Sequence, residues 1–134
     1  LPPRLLHLII PAEAILDHAE SVQKLRLAGC RIVLSQVGRD LQIFNSLKAN
    51  MADYLLLDGE LCANVQGNLM DKMLITIIQG HAQRLGMKTI AGPVVLPLVM
   101  DTLSGIGVDL IYGEVIADAQ PLDLLVNSSY FAIN

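Results

Sequence analysis

The chain has 134 residues, the length of one small domain, with 9 Lys and Arg against 13 Asp and Glu for a net charge of −4. Apolar residues make up 53% and charged residues 16%, which excludes a disordered chain and leaves no basic stripe to neutralise the phosphates of a nucleic acid. No apolar run reaches the roughly 20 residues of a bilayer span, and the longest, Ala91–Met100, is interrupted by Gly92, Pro93 and Pro97, so no membrane contact is expected of this segment.

Taken in chain order, Leu5–Ile10 is a continuous apolar run that reads as a first strand. Pro11 suits a first helical turn, and Ile15, Ala19, Val22 and Leu25 then form one apolar stripe on a helix that Gly29 ends. A second strand covers Arg31–Leu34, after which Arg39 and Asp40 supply the cap and first turn of a short helix over Leu41–Leu47. Tyr54–Leu57 is the third strand, and Asp58-Gly59 reads as the turn that closes it. The longest helix opens at Asn68 with Asp71 in its first turn, carries Leu69, Met73, Ile77 and Leu85 as its apolar side, and ends at Gly86. Lys88–Ala91 is the fourth strand, a helix runs from Pro97 to near Gly105, Asp109–Tyr112 is the fifth strand, and a last turn or two of helix comes after Pro121.

These strands lack period-2 alternation, as a parallel sheet covered on both faces requires. Their alternation with helices, repeated about five times, predicts an α/β fold with a parallel sheet. A closed (βα)8 barrel takes about 250 residues, so the chain supplies about five of eight units. It is either an open, doubly wound five-stranded sheet or the later part of a barrel, and the pattern leaves both open. Because it starts at Leu1 rather than Met, the chain reads as a piece of something longer.

In both architectures chemistry sits at the carboxyl ends of the strands. Those positions hold Ile10-Pro11, Ser35-Gln36, Asp58-Gly59-Glu60, Gly92-Pro93 and Tyr112-Gly113-Glu114. Asp58, Glu60 and Glu114 are the groups there able to bind a hard cation or move a proton, whereas a two-metal phosphodiester site needs carboxylates converging from several strands on ions about 4 Å apart. Gly105-Ile106-Gly107 enters a strand rather than a helix and is no phosphate loop. No G-x-S-x-G elbow occurs. Cys30 and Cys62 stand outside any zinc spacing, and Cys30 reads as a buried, reduced thiol, which fits a reducing, cytoplasmic setting. His18, beside Asp17, reads as a surface residue, His81 as a packed or half-exposed one, and His7 lies in the first strand. Asp58 after an apolar third strand also suggests a two-component receiver phosphorylated at Asp58. A receiver's acidic pair and fifth-strand lysine are here Ile10-Pro11 and Tyr112-Gly113.

Five segments carry a more specific likeness: Leu6-His7-Leu8-Ile9-Ile10; Leu25 to Leu34 followed by Ser35-Gln36-Val37-Gly38-Arg39-Asp40; Asp53-Tyr54-Leu55-Leu56-Leu57-Asp58; Ala91-Gly92-Pro93-Val94-Val95; and Gly107-Val108-Asp109-Leu110-Ile111-Tyr112-Gly113. In this order they resemble the E-L-T-E, D-D-F-G-T-G, D-x-L-K-I-D, A-E-G-V-E and G-x-D-x-x-Q-G motifs of the EAL domain, a (βα)8-barrel family that hydrolyses cyclic di-GMP. The likeness runs from Leu6 to Pro121, over the family's later strands, so residues 1–134 are expected to form one partial, degenerate EAL-like domain. The resemblance implies that the metal-binding Glu of E-L-T-E is His7, that the two aspartates are Ser35 and Gln36, that the catalytic lysine is Leu56, that a metal-site glutamate is Gly92, and that a loop glutamate is Val95. Asp58 is the one family ligand that stays.

The resemblance implies a catalytically inactive regulatory or protein-interaction domain with no cofactor of its own. It would pair as a homodimer or with an adjacent GGDEF module. The alternative is a receptor that binds cyclic di-GMP without cleaving it, and the remotest is a residual hydrolase using Asp58, Glu60 and His7. The degenerate EAL regions of large enterobacterial GGDEF proteins are similar. That likeness implies an upstream diguanylate cyclase module, which uses Mg²⁺ and GTP, with PAS units and an inner-membrane sensor in the parent chain.

Overall fold

The computed structural model describes residues 6–38, 40–114 and 131–133. Among them, six strands form one sheet: β1 (His7–Pro11), β2 (Arg31–Val37), β3 (Tyr54–Leu57), β4 (Lys88–Ala91), β5 (Leu110–Tyr112) and β6 (Phe131–Ile133). Helices α1 (Ala12–Ile15) and α2 (Ala19–Leu27) join β1 to β2, α3 (Leu41–Asn45) joins β2 to β3, α4 (Gly59–Ala63) and α5 (Leu69–Leu85) join β3 to β4, and α6 (Pro97–Ile106) joins β4 to β5.

Strands β1 to β5 are parallel and lie side by side in sequence order, and β6 adds antiparallel to β5. A doubly wound sheet reverses its strand order at a switch point, as in the 2-1-3-4-5 order of receivers, whereas a (βα)8 barrel adds each strand beside the last. The observed order therefore selects the barrel-type arrangement and removes both the doubly wound reading and the receiver reading of Asp58.

Side chains alternate across each strand, so the register divides the sheet into two faces. Ile32, Leu34, Leu55, Leu57, Ala91 and Ile111 enter one core with Ile15, Val22, Ile75, Ile78 and Leu103 from the helices. Ile9, Val33, Tyr54, Leu56, Ile90 and Leu110 share the opposite face, where Ile9 is 65% exposed. Helices thus pack on one face of the sheet, not on both as the apolar runs suggest.

Asn68 caps α5 by accepting from the Asp71 N–H at 3.2 Å, and Gly86 ends it in the left-handed region at φ 74°. The apolar side of α5 differs from expectation. Asp71, Ile75, Ile78, Gln79 and Ala82 face inward, whereas Leu69, Met73 and Ile77 are 70%, 50% and 55% exposed. Both faces of α5 are apolar with helical period, and the sheet takes the one bearing Ile75 and Ile78. The predicted helix from Pro11 to Gly29 is two, broken at Leu16–His18; Ile15 and Val22 are buried while Ala19 and Leu25 are exposed. Helix α3 stops at Asn45, strand β2 continues through Ser35 and Gln36 to Val37, and α4 and β6 are elements beyond those the sequence pattern predicts. The helix expected after Pro121 lies outside the described residues.

Two aspartates fasten the amino ends of the strands. Asp53, just before β3, accepts from the Ile32 N–H at 2.8 Å and from Arg26 Nη2 at 3.0 Å, with Arg31 at 3.6 Å. Arg26 also donates to the Asn50 carbonyl. Burial raises the Asp53 carboxyl, but the Arg26 bond, the Ile32 N–H and the charges of Arg26 and Arg31 together hold it below its ordinary value. Asp109, just before β5, accepts from the Thr89 N–H at 2.9 Å, and the buried Thr89 hydroxyl bonds Gln79 of α5.

Candidate functional site at the carboxyl ends of the strands

The end of β2 carries a bulge. Its pairing with β3 shifts between Leu34 and Val37, and Gln36 takes a left-handed conformation at φ 60°, uncommon for a residue with a β-carbon. Bulges re-aim side chains beside sites, and here the re-aimed groups are the hydroxyl of half-buried Ser35 and the amide of exposed Gln36. Beside it lies a cavity of about 160 Å³ with a floor of Ala12, Val37 and Phe44 and a rim of Glu13, Gln36 and Asp40.

Strand β3 ends one residue before Asp58, whose N–H donates to the Val37 carbonyl at 2.8 Å. The carboxylate is half-buried and close to the backbone of the β2 loop; a β-carbon on Gly38 would stand 3.0 Å from Asp58 Cβ. Asp58 does not cap α4 through its side chain. One turn later the Cys62 thiol, 1% exposed, receives the backbone N–H of Gly92. Burial pushes this thiol up to about 11, with a contribution from the Asp58 charge and an opposing one from the Gly92 N–H, so it is a neutral packing group at physiological pH.

Strands β4 and β5 end against one another. A β-carbon on Gly92 would lie 2.6 Å from two ring carbons and from the carbonyl oxygen of Tyr112. Val94 N–H donates to that carbonyl at 2.9 Å, and a β-carbon on Gly113 would fall 2.3 Å from Val94 N. Burial raises the Tyr112 hydroxyl, and the neighbouring Cys62 adds to the rise.

The remaining sequence candidates are scattered. His7 is the first residue of β1, paired with Arg31 at the amino ends and 6.1 Å ring to ring from Tyr54, so it stands at the wrong end of its strand to meet Asp58. Leu56 is half-buried on the sheet face away from the helices, Val95 is 56% exposed in the loop after β4, and Glu60 and Glu114 are exposed. His18 is exposed, as expected. His81 is half-buried, edge-on to Phe44 at 4.8 Å, and its Nε2 finds no partner among the described residues. Cys30 and Cys62 are both buried free thiols. Among the described residues, no three His, Cys, Asp or Glu side chains converge as a metal site, and no helix is long and apolar enough to cross a membrane. Sequence reasoning misses Tyr112 as a site residue. The signal is an aromatic at a strand end whose neighbour in the sheet ends in glycine.

Residues 1–119 match the family model of the EAL domain. The chain belongs to the EAL domain family. It is 99% identical over 134 residues to the probable diguanylate cyclase DgcE of Escherichia coli K12, covering all of this chain and 12% of that protein. It is 28% identical over 102 residues to the cyclic di-GMP phosphodiesterase PdeF of Escherichia coli K12, covering 76% of this chain and 14% of the relative. Its structure is similar to the EAL domain of FimX from Xanthomonas citri, solved in complex with c-diGMP, with a TM-score of 0.75 and 26% identity over 87% of this chain and 47% of that one. The EAL chain thus spans 12% and 14% of the lengths of these two curated relatives.

Proposed function

We propose that this EAL domain is catalytically inactive and serves as a regulatory, protein-binding unit in a cyclic di-GMP signalling protein whose diguanylate cyclase activity lies elsewhere in its polypeptide. The observation that carries this reading is the make-up of the strand ends. Of the positions that the resemblance assigns, Ser35, Gln36, Leu56, Asp58, Gly92 and Val95 lie towards or beyond the carboxyl ends and Asp58 alone of them bears a carboxylate, while His7 lies at the amino end of β1. Holding two divalent ions about 4 Å apart and activating a water takes several converging carboxylates, and one missing ligand already costs orders of magnitude in rate at roughly 1.4 kcal/mol per tenfold. The residues present do not fit a magnesium pair. Near identity to a protein named a probable diguanylate cyclase supports the cyclase context, in which Mg²⁺ and GTP serve a GGDEF module.

The protein-binding part rests on α5. Met70, Met73 and Ile77 are 71%, 50% and 55% exposed on the helix side opposite the core, and a contiguous exposed apolar strip marks an interaction surface. The occupant proposed is a second copy of the chain or the neighbouring cyclase module. Incubation with cyclic di-GMP and Mg²⁺ or Mn²⁺ should release no linear pGpG; turnover abolished by Asp58→Asn overturns the inactive reading. Light scattering at tens of micromolar should show a dimer or larger species that Met73→Glu converts to monomer. A second reading, a receptor that binds cyclic di-GMP without cleaving it, is favoured by the likeness to the FimX domain solved with c-diGMP.

A further inference from the structure

A second hollow lies between α3 and the later half of α5, and no family position lines it. It holds about 400 Å³, within the range of small-molecule sites. Its walls include the ring of buried Phe44 and the side chain of Ile77. Gly80 leaves the α5 side bare, since a β-carbon there would meet no atom within 4 Å. One turn further on stands Arg84, with no Asp or Glu in the lining to pair with it. Among the described residues the ion pairs are those of Arg26 and Arg31 with Asp53, so the Arg84 guanidinium enters none. The His81 ring rests edge-on against Phe44 at 4.8 Å, and its buried Nε2 has no hydrogen-bond partner among the described residues. Buried polar atoms are nearly always paired, so one left over calls for a partner from outside.

We propose that this hollow binds a small organic acid, a flat apolar body carrying one carboxylate. The body lies on Gly80 between Phe44 and Ile77, and the carboxylate takes the fork of the Arg84 guanidinium with both oxygens. Entering beside Phe44, the body moves the His81 ring that rests there and frees Nε2 to bond the acid. One guanidinium in an apolar setting neutralises one negative charge, which selects a monocarboxylate over a phosphate dianion. This goes beyond the reading of the strand ends, because it uses none of their residues and stands whether or not they bind nucleotide.

The probe is naphthoate, titrated into the isotope-labelled chain and followed by NMR through backbone amide and imidazole signals, with naphthylmethanol as the same body without the charge. Naphthoate should move the signals of Phe44, Gly80, His81 and Arg84 along one saturating curve in the millimolar range, and the alcohol should bind more weakly by about fivefold or more. Arg84→Gln, at an exposed position, should leave acid and alcohol binding alike. Gly80→Leu, whose β-carbon has open space, should fill the hollow and abolish both titrations while the signals of the sheet keep their positions. The proposal is overturned by the absence of a saturable shift, by equal affinity for acid and alcohol in the unmodified chain, or by a preference for the acid that survives Arg84→Gln. An unchanged titration in folded Gly80→Leu overturns it as well, and the Arg84→Gln comparison decides alone where Gly80→Leu does not fold.

Discussion

The two ends of the parallel sheet have opposite chemistry. At the amino ends, Asp53 binds Arg26, Arg31 and the Ile32 N–H, and Asp109 binds the Thr89 N–H. At the carboxyl ends stand Ser35, Gln36, Asp58, Gly92 and Tyr112, glycine and aromatic packed together, with the carboxylates of Glu60 and Glu114 exposed beside them. In barrels of this kind the amino ends serve stability and the carboxyl ends serve chemistry. Among the described residues, polar groups tie strand to strand at the amino ends, and no three His, Cys, Asp or Glu side chains converge as a metal site. The difference teaches that the sequence places its strand-tying polar groups at one end and glycine–aromatic packing at the other.

Breaking the amino end should have the largest effect. Asp53→Ala leaves a part-buried guanidinium and the Ile32 N–H without their acceptor, and should cost about 3 kcal/mol in urea unfolding. Arg31→Ala, at an exposed partner 3.6 Å away, should stay within about 0.5 kcal/mol. The Asp53 carboxyl titrates below its ordinary 3.8 in the folded chain. Its contribution is therefore present above that value and lost as pH falls through the folded pKa, and Asp53→Asn should flatten the acid limb of the stability profile.

Next comes an alkaline effect at the carboxyl end. The Cys62 thiol titrates near 11 in the folded chain against an ordinary 9.0, so its neutral form favours folding. That contribution is whole below pH 9 and declines by about 1.4 kcal/mol per pH unit between 9 and 11; denaturant midpoints across this range should lose the slope in Cys62→Ala. Asp109→Ala, which strands the Thr89 N–H, should cost about 1–2 kcal/mol. Smallest of all, Asp58→Ala should shift the urea midpoint by no more than about 0.5 kcal/mol. A loss of several kcal/mol there would blur the contrast between the two ends.

Much of the scaffold is legible in the sequence. Tyr54–Leu57 and Lys88–Ala91 are strands over their expected spans, and Asn68 and Gly86 mark the ends of α5 because a cap and a left-handed stop are local signals. The inward side of α5 is not local. The stripe with Met73 and Ile77 has the same period as the stripe with Ile75 and Ile78, and only the sheet beneath decides between them. His7 reads as a site position because an apolar strand carries no mark of which end lies where, yet register puts it beside Arg31. Asp58 is legible as the residue that follows an apolar strand, but the Asp58-Gly59 turn expected there is instead the start of α4, with Gly59 as its first residue. The contact of Tyr112 with Gly92 is not, since it joins residues 20 apart through neighbouring strands.

The most direct measurement is a calorimetric titration of cyclic di-GMP into the folded chain with Mg²⁺ or Ca²⁺ present. The proposed absence of a ligand set at the carboxyl ends predicts no binding heat, and the same flat trace for Asp58→Asn. Micromolar binding that Asp58→Asn abolishes would contradict this account and make the strand ends a nucleotide site.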